Sequence, residues 1–272
     1  MKRTGSIIIY GPPGAGKSTQ VAEAFQDCAY FLTSPSVLWP YESYTQNNAD
    51  LKLKEVNYTG ENFDIAKQMR AVIIPEMRAL KSGQLEAIDT KRTLTDLLTN
   101  YLSQCVKGEA KSNGLVFDEW SAFSARVLVD LQKSTPGWGA YNKLYDFHRW
   151  ILQVQRACDR PFVFICHHRE PVFDDEPGTS RGRLKYKGGP MLPTGKLVAQ
   201  FCADVDAVLH LDIEEKNTSL LSPESPGDNP SQVRRFYRTE VHPLWERKIR
   251  AFGLKPEEDA SLHDILSRAR LC

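Results

Sequence analysis

The sequence predicts an α/β fold: a mostly parallel sheet covered by helices on both faces, with antiparallel strands towards the C-terminus. Three observations lead there. Continuous apolar runs at Ser6–Tyr10, Gly114–Asp118 and Pro161–Cys166 show no wet face, as strands buried on both sides require. Stretches with helical apolar spacing alternate with these runs, the pattern of strand–helix–strand crossovers. The first run also passes into a helix through a glycine-rich turn.

The 272 residues suffice for one large domain, read here as a core over 1–252 and a short C-terminal helical extension over 253–272. A net charge of +1 gives no global pull towards nucleic acid, so any such contact must come from a local basic surface. No apolar run approaches membrane-spanning length, and the first strand starts too early for a signal peptide, so no membrane partner is expected. Cys28, Cys105, Cys158, Cys166, Cys202 and Cys272 are scattered without a C-x-x-C pair. They read as reduced cytoplasmic thiols, not as a zinc site or a disulfide frame.

In chain order, the strand Ser6–Tyr10 runs into Gly11-Pro12-Pro13-Gly14-Ala15-Gly16-Lys17-Ser18-Thr19 and then a helix to Phe25. This fits G-x-x-x-x-G-K-S/T in its strand–loop–helix setting, a phosphate-binding P-loop. Glycines let backbone N–H groups turn inward around a phosphate, and the helix N-terminus adds positive potential. Lys17 is expected to reach the β/γ-phosphates, and the Ser18 hydroxyl to ligate Mg²⁺.

Cys28–Leu32 reads as a second strand, followed by a loop from Thr33 to Asp50 that carries Trp39, Tyr41 and Tyr44. Leu51–Val56 alternates at period two. From Glu61 to Ser82 the spacing of Ile65, Met69, Val72, Ile73, Met77 and Leu80 predicts a helix, kinked or divided at Pro75. A second helix is predicted over Thr93–Val106. Then Gly114-Leu115-Val116-Phe117-Asp118-Glu119 has the form of a Walker B strand. Asp118 is expected to hold the magnesium, and Glu119 to orient or deprotonate the attacking water. The plainer alternative is an acidic pair at a strand end.

A helix over Ser121–Lys133, a turn over Ser134–Ala140 and a long helix over Tyr141–Cys158 lead to the strand Pro161–Cys166, which ends in His167-His168-Arg169. Ligands of such sheets bind at the carboxyl ends of the strands, so residues 11–19, 118–119 and 167–169 should share one edge. His167 or His168 reads either as a strand-end histidine bonded to backbone or as a sensor touching the γ-phosphate or lytic water.

Arg181, Arg183, Lys185 and Lys187 recur at period two around Tyr186. Such a basic edge suits the phosphates of single-stranded nucleic acid, or equally a solvated edge strand whose lysines block pairing. Asp174, Asp175 and Glu176 dilute its charge. A short helix over Lys196–Phe201, a strand over Val205–Leu211, a polar excursion over Glu214–Gln232 and a strand over Arg234–Val241 follow. Arg247-Lys248-Ile249-Arg250 adds a second cluster of cations. Ser261-Leu262-His263-Asp264 resembles a capping box, with Asp for Glu, and opens a terminal helix.

With these residues laid out, the chain resembles a RecA-like core P-loop ATPase. It is similar to the small phage-encoded RecA/KaiC-type NTPases, some of which act as recombinases or single-strand annealing partners. The carrying features are GPPGAGKST, LVFDEW, PFVFICHH, GGPMLPTGKLVAQFCADVDAVLHL and RRFYRTEVHPLWERKIR, over roughly residues 5 to 252. The resemblance implies a Mg-dependent ATP-binding and hydrolysing oligomer, a ring or filament with ATP between subunits. It also implies cations from the next subunit at the γ-phosphate, which Lys248 and Arg250 match in K-x-R spacing; a basic strand end at the surface is the alternative. By position it marks Trp138 and the Arg181–Lys187 edge as facing single-stranded DNA, in recombination, repair or replication.

Two departures stand out. RecA carries its catalytic glutamate after the second strand, where this chain has Thr33-Ser34-Pro35-Ser36. The base is therefore sought in Glu119, with Glu42 as a spare. The N-terminal oligomerisation helix of RecA is also not recognisable. A P-loop nucleotide or small-molecule kinase, and a slow nucleotide-dependent assembly protein, are the competing functions.

Overall fold

The computed structural model describes residues 5–25, 28–32, 56–57, 70–73, 77–79, 85–87, 90–110, 112–158, 160–174, 183–216, 232–240, 242–249, 254–259, 261–269 and 271. β1 (Ser6–Gly11) leads through the glycine-rich turn into α1 (Lys17–Ala24), followed by β2 (Cys28–Leu32). Short strands β3 (Val56–Asn57), β4 (Arg70–Ile73), β5 (Met77–Ala79) and β6 (Leu85–Ala87) precede α2 (Thr90–Lys107). Next come β7 (Gly114–Asp118), α3 (Trp120–Ser134), α4 (Trp138–Cys158) and β8 (Phe162–Arg169). β9 (Val172–Asp174), β10 (Arg183–Tyr186) and β11 (Gly189–Pro190) lead to α5 (Gly195–Asp204). β12 (Ala207–Lys216), β13 (Gln232–Arg238), β14 (Glu257–Glu258) and α6 (Leu262–Arg268) close the chain.

The main sheet runs β14-β13-β12-β1-β8-β7-β2-β4-β3. From β12 to β3 every pairing is parallel, while β13 and β14 add antiparallel strands. The predicted fold class is therefore the observed one. The physical cause is visible in β1, whose residues are all buried. Ile8 and Tyr10 face a core under α3, α4 and α5, whereas Ile7 and Ile9 face a core under α1 and α6. Each fully buried side chain of this size contributes roughly 1.5–3 kcal/mol, so the doubly covered central strands anchor the fold. The larger core centres on Trp120, fully buried against Phe117, Phe123 and Phe164.

The structure departs from sequence expectation in four places. The spacing over Glu61–Ser82 predicted a helix, but Arg70–Ile73 and Met77–Ala79 are strands. A short apolar run with β-branched residues satisfies either period, and here the open edge of β2 decides, because β4 pairs onto it in parallel. Trp138, placed in a turn, opens α4. β8 continues three residues beyond Cys166, because β11 pairs with Arg169 and His168 and extends the ladder. β12 likewise runs on through Glu214 to Lys216 against β13. The predicted loop over Thr33–Asp50, including Trp39, Tyr41, Glu42 and Tyr44, lies outside the described residues.

Candidate functional site

The phosphate-loop residues stand at the carboxyl end of β1. Gly11 leaves the strand where a Cβ would lie 2.0 Å from the Leu211 carbonyl oxygen, so only glycine lets β1 and β12 pair this closely. Gly14 and Gly16 have φ of 77° and 88°, left-handed values that glycine adopts without strain. The turn is closed by the Ala15 N–H donating to the Pro12 carbonyl at 3.3 Å. Pro13 and Gly14 are exposed at the tip, and Gly16 is the N-cap of α1. Ser18 and Thr19 occupy the first turn of that helix. Lys17 is buried and donates to the carbonyls of Gly11 and Pro12 at 2.9 Å each. Burial weakens its hold on the proton below that of an ordinary lysine, with Asp118 and Glu119 acting the other way.

The second half of the site comes from β7 and β8, brought together by strand order. Ser18 Oγ donates to Asp118 Oδ2 at 2.6 Å across a hundred residues of chain. Asp118 is buried at the end of β7, and its peptide bond to Glu119 is cis. Glu119 is the N-cap of α3, where its carboxylate accepts from the Ser121 N–H at 3.1 Å. The same carboxylate meets the His167 ring, with Nε2 to Oε2 at 3.1 Å. The His167 N–H is held by Ser121 Oγ at 3.1 Å. Burial pushes the Glu119 carboxyl up, but the His167 hydrogen bond and charge, with the Ser121 and His167 N–H bonds, together more than reverse this and leave it below the usual glutamate value. The hydrogen bond from Glu119 raises His167 above an ordinary histidine, against the opposing effect of burial. The two shifts agree, and both favour the charged pair.

This donor set fits a nucleoside triphosphate with Mg²⁺. A hydroxyl and a carboxylate already in contact are hard oxygen ligands, and magnesium characteristically takes one or two carboxylates with phosphates and water. Among the described residues no cluster of three or more His, Cys, Asp or Glu could hold a metal by itself.

The other predicted residues are less concentrated. Lys248 donates from Nζ to the carbonyls of Ala203, at 2.8 Å, and Val205, holding the C-terminal end of α5 in its own chain. Arg250 and Arg181 lie outside the described residues, and Arg183 is described only as part of β10. The pairing of β10 with β9 shifts register between Leu184 and Tyr186, so strict period-two alternation does not run through Lys185. Lys185 and Lys187 are exposed. His168 turns to Glu170 Oε1 at 2.9 Å, away from the Glu119 contact that His167 makes. Trp138 is 77% exposed and lines a cavity of about 270 Å³ with Tyr141, Tyr145, Tyr186, Lys196 and Gln200. The tryptophan after α3 thus meets Tyr186, the aromatic of the basic edge, at one groove, whereas Lys185 and Lys187 do not line it. The Tyr186 ring packs on Gly195, where a Cβ would meet it at 2.1 Å.

Sequence reasoning missed three features. Ser121 braces both Glu119 and His167; its place two residues after an N-cap was the available signal. His148, fully buried, accepts from Trp120 Nε1 and contacts Ser124 Oγ, each at 3.1 Å, while its Nδ1–H donates to the Leu144 carbonyl at 2.7 Å. Burial lowers its pKa to about 4, so it is a neutral core histidine. Arg235 stands against the phosphate loop, and nothing in its sequence context marks it.

Among known proteins, the chain is similar to a KaiC-like protein from the hyperthermophilic archaeon Pyrococcus horikoshii OT3, at 13% identity and a TM-score of 0.38 over 86% of this chain and 77% of that one. It is also similar to the RadB recombinase, at 13% identity and a TM-score of 0.36 over 88% of this chain and 89% of that one. No curated protein matches the sequence. A family model described as an AAA domain matches residues 3–251, taking in the phosphate loop, Asp118–Glu119 and His167 together. That span takes in most of the sequence and the parallel part of the main sheet, and the chain belongs to the AAA domain family.

Proposed function

We propose that the protein is a Mg-dependent ATPase that works as an oligomer on single-stranded DNA. The observation that carries this reading is the Ser18–Asp118 contact at 2.6 Å, with the Glu119–His167 pair beside it. Lys17 and the loop N–H groups bind the β/γ-phosphates, and Ser18 and Asp118 would hold Mg²⁺, which supplies charge neutralisation at the transferring phosphoryl group. Glu119 aligns the attacking water and takes its proton. Arg250 from a neighbouring subunit completes the charge at the γ-phosphate, because one lysine does not neutralise the spread of negative charge there. Lys248, bonded within its own chain, contributes to that neighbour's site only by leaving those carbonyls.

The DNA reading draws on the groove at Trp138 and Tyr186. Stacked bases find aromatic faces there, and Lys185, Lys187 and Lys196 supply cations for phosphates. β8 links the two places. Its His167 touches Glu119, its His168 and Arg169 pair with β11, and the Arg169 guanidinium lies 5.7 Å from the centroid of the Tyr186 ring.

The test is ATP turnover with and without an oligonucleotide. Lys17→Ala is expected to abolish turnover, and Glu119→Gln to keep ATP bound while hydrolysis falls by two orders of magnitude or more, roughly the scale of losing a general base. Single-stranded DNA is expected to raise the wild-type rate. A Gln variant that hydrolyses normally removes Glu119 as the base, and a rate indifferent to DNA removes the DNA assignment.

A further inference from the structure

β12 does not stop where β1 stops. Tyr10 pairs with His210, yet β12 continues six residues further to Lys216, and β13 pairs with it along the whole extension. At about 3.3 Å per residue the overhang is about 20 Å long, a two-stranded ribbon standing beside the phosphate loop. Pairing and alternation decide which side chains face the loop. Tyr237, opposite Leu211, packs in the core beneath α1. Arg235, opposite Ile213 and two residues from Tyr237, therefore points to the same side.

The contact is direct. A methyl group built on Gly16 would lie 3.5 Å from Nε and 3.6 Å from Cδ of Arg235. The flanking arginines are committed elsewhere: Arg234 pairs with Glu257 and Asp259, and Arg238 with Asp212 and Glu257. Arg235 is exposed, and among the described residues its side chain has no ion-pair or hydrogen-bond partner. An arginine that reaches a phosphate loop without a carboxylate partner among the described residues has the fork geometry that phosphate oxygens accept.

Strand order separates two sides of the loop. Asp118, Glu119 and His167 come from β7 and β8, on one side of β1, whereas β12 and β13 lie on the other. For a triphosphate whose γ end met Ser18 and Asp118, the ribbon side of β1 would be the side left for its α-phosphate. We propose that Arg235 is a nucleotide-binding residue, whose guanidinium grips the α-phosphate end from the overhanging β12–β13 ribbon. This rests on the nucleotide reading above and assigns the ribbon a binding role.

Calorimetric titration with Mg-ADP and Mg-ATP tests it, using wild type, Arg235→Ala and Arg235→Gln, each checked by thermal melting. Because ADP and ATP share the α-phosphate, both are expected to weaken by the same factor, about tenfold for one charge-assisted contact. Arg234→Ala, on the other face of the ribbon, should not alter either affinity. Unchanged binding of both nucleotides by the folded Arg235 variants overturns the proposal. So does a loss confined to ATP, which would put the guanidinium at the γ end. Wild-type protein that binds neither nucleotide overturns the nucleotide reading itself, a different outcome from a variant that binds like wild type.

Discussion

Glu119 and His167 face each other at 3.1 Å, each holding the other in its charged form. The histidine's share of this stabilisation is complete below its ordinary value of 6.5 and is lost as pH rises through its raised folded value. The glutamate's share is present above 4.5 and is lost as pH falls through its lowered folded value. A carboxylate tied to an imidazolium is a poor base, so turnover is expected to climb as His167 loses its proton, with a midpoint above 6.5. A pH–rate profile checks this: His167→Gln should remove the step, and a step that persists assigns it to another group. Lys17, Ser18 and Asp118 were legible in the sequence because phosphate and metal chemistry fixes both residue type and spacing. The meeting of Glu119 with His167 was less so, since it depends on β8 lying between β1 and β7. Arg235 was not legible at all, because its position follows from the length of an overhang.

At the scale of elements, runs such as Ile7–Tyr10 and Val163–Cys166 could be read directly, being apolar on both faces and too short for helices. Residues 70–73 could not, because what makes them a strand is a free edge on β2, and residues 77–79 pair instead with 85–87. Trp138 shows a similar limit. The Pro136-Gly137 pair marks a turn, but the first turn of α4 follows at once, and it carries the indole to the groove instead of leaving it in a loop. Since that ring is 77% exposed, Trp138→Ala should change stability by no more than about 0.5 kcal/mol. Stacking of one base is worth about 1–3 kcal/mol, so oligonucleotide affinity should fall roughly five- to hundredfold. Fluorescence anisotropy of a labelled oligonucleotide, read beside a melting curve, separates the two. Unchanged affinity excludes the groove as the binding place.

For the molecule as a whole, acid sensitivity follows from what the core buries. His148 is neutral in the fold, with a pKa of about 4 against an ordinary 6.5, and burial also lowers His210. Between those values the unfolded chain binds the proton that the folded one refuses, so stability falls as pH drops from 6.5 towards 4. For His148 this amounts to a loss on the order of 3 kcal/mol. His148→Gln keeps an acceptor for the Trp120 N–H and removes the titration. Its melting temperature should therefore drop less than that of wild type between pH 7 and 5, and equal slopes for the two proteins would refute this source. The same core holds the strand that joins the candidate site to the groove at Tyr186. β8 has no break between the residue beside the acidic pair and the residue over Tyr186, and its backbone is paired on both sides through Ile165. Under the proposed function, linkage would run in both directions: whatever factor an oligonucleotide added to the grip on ATP, ATP would add to the grip on the oligonucleotide.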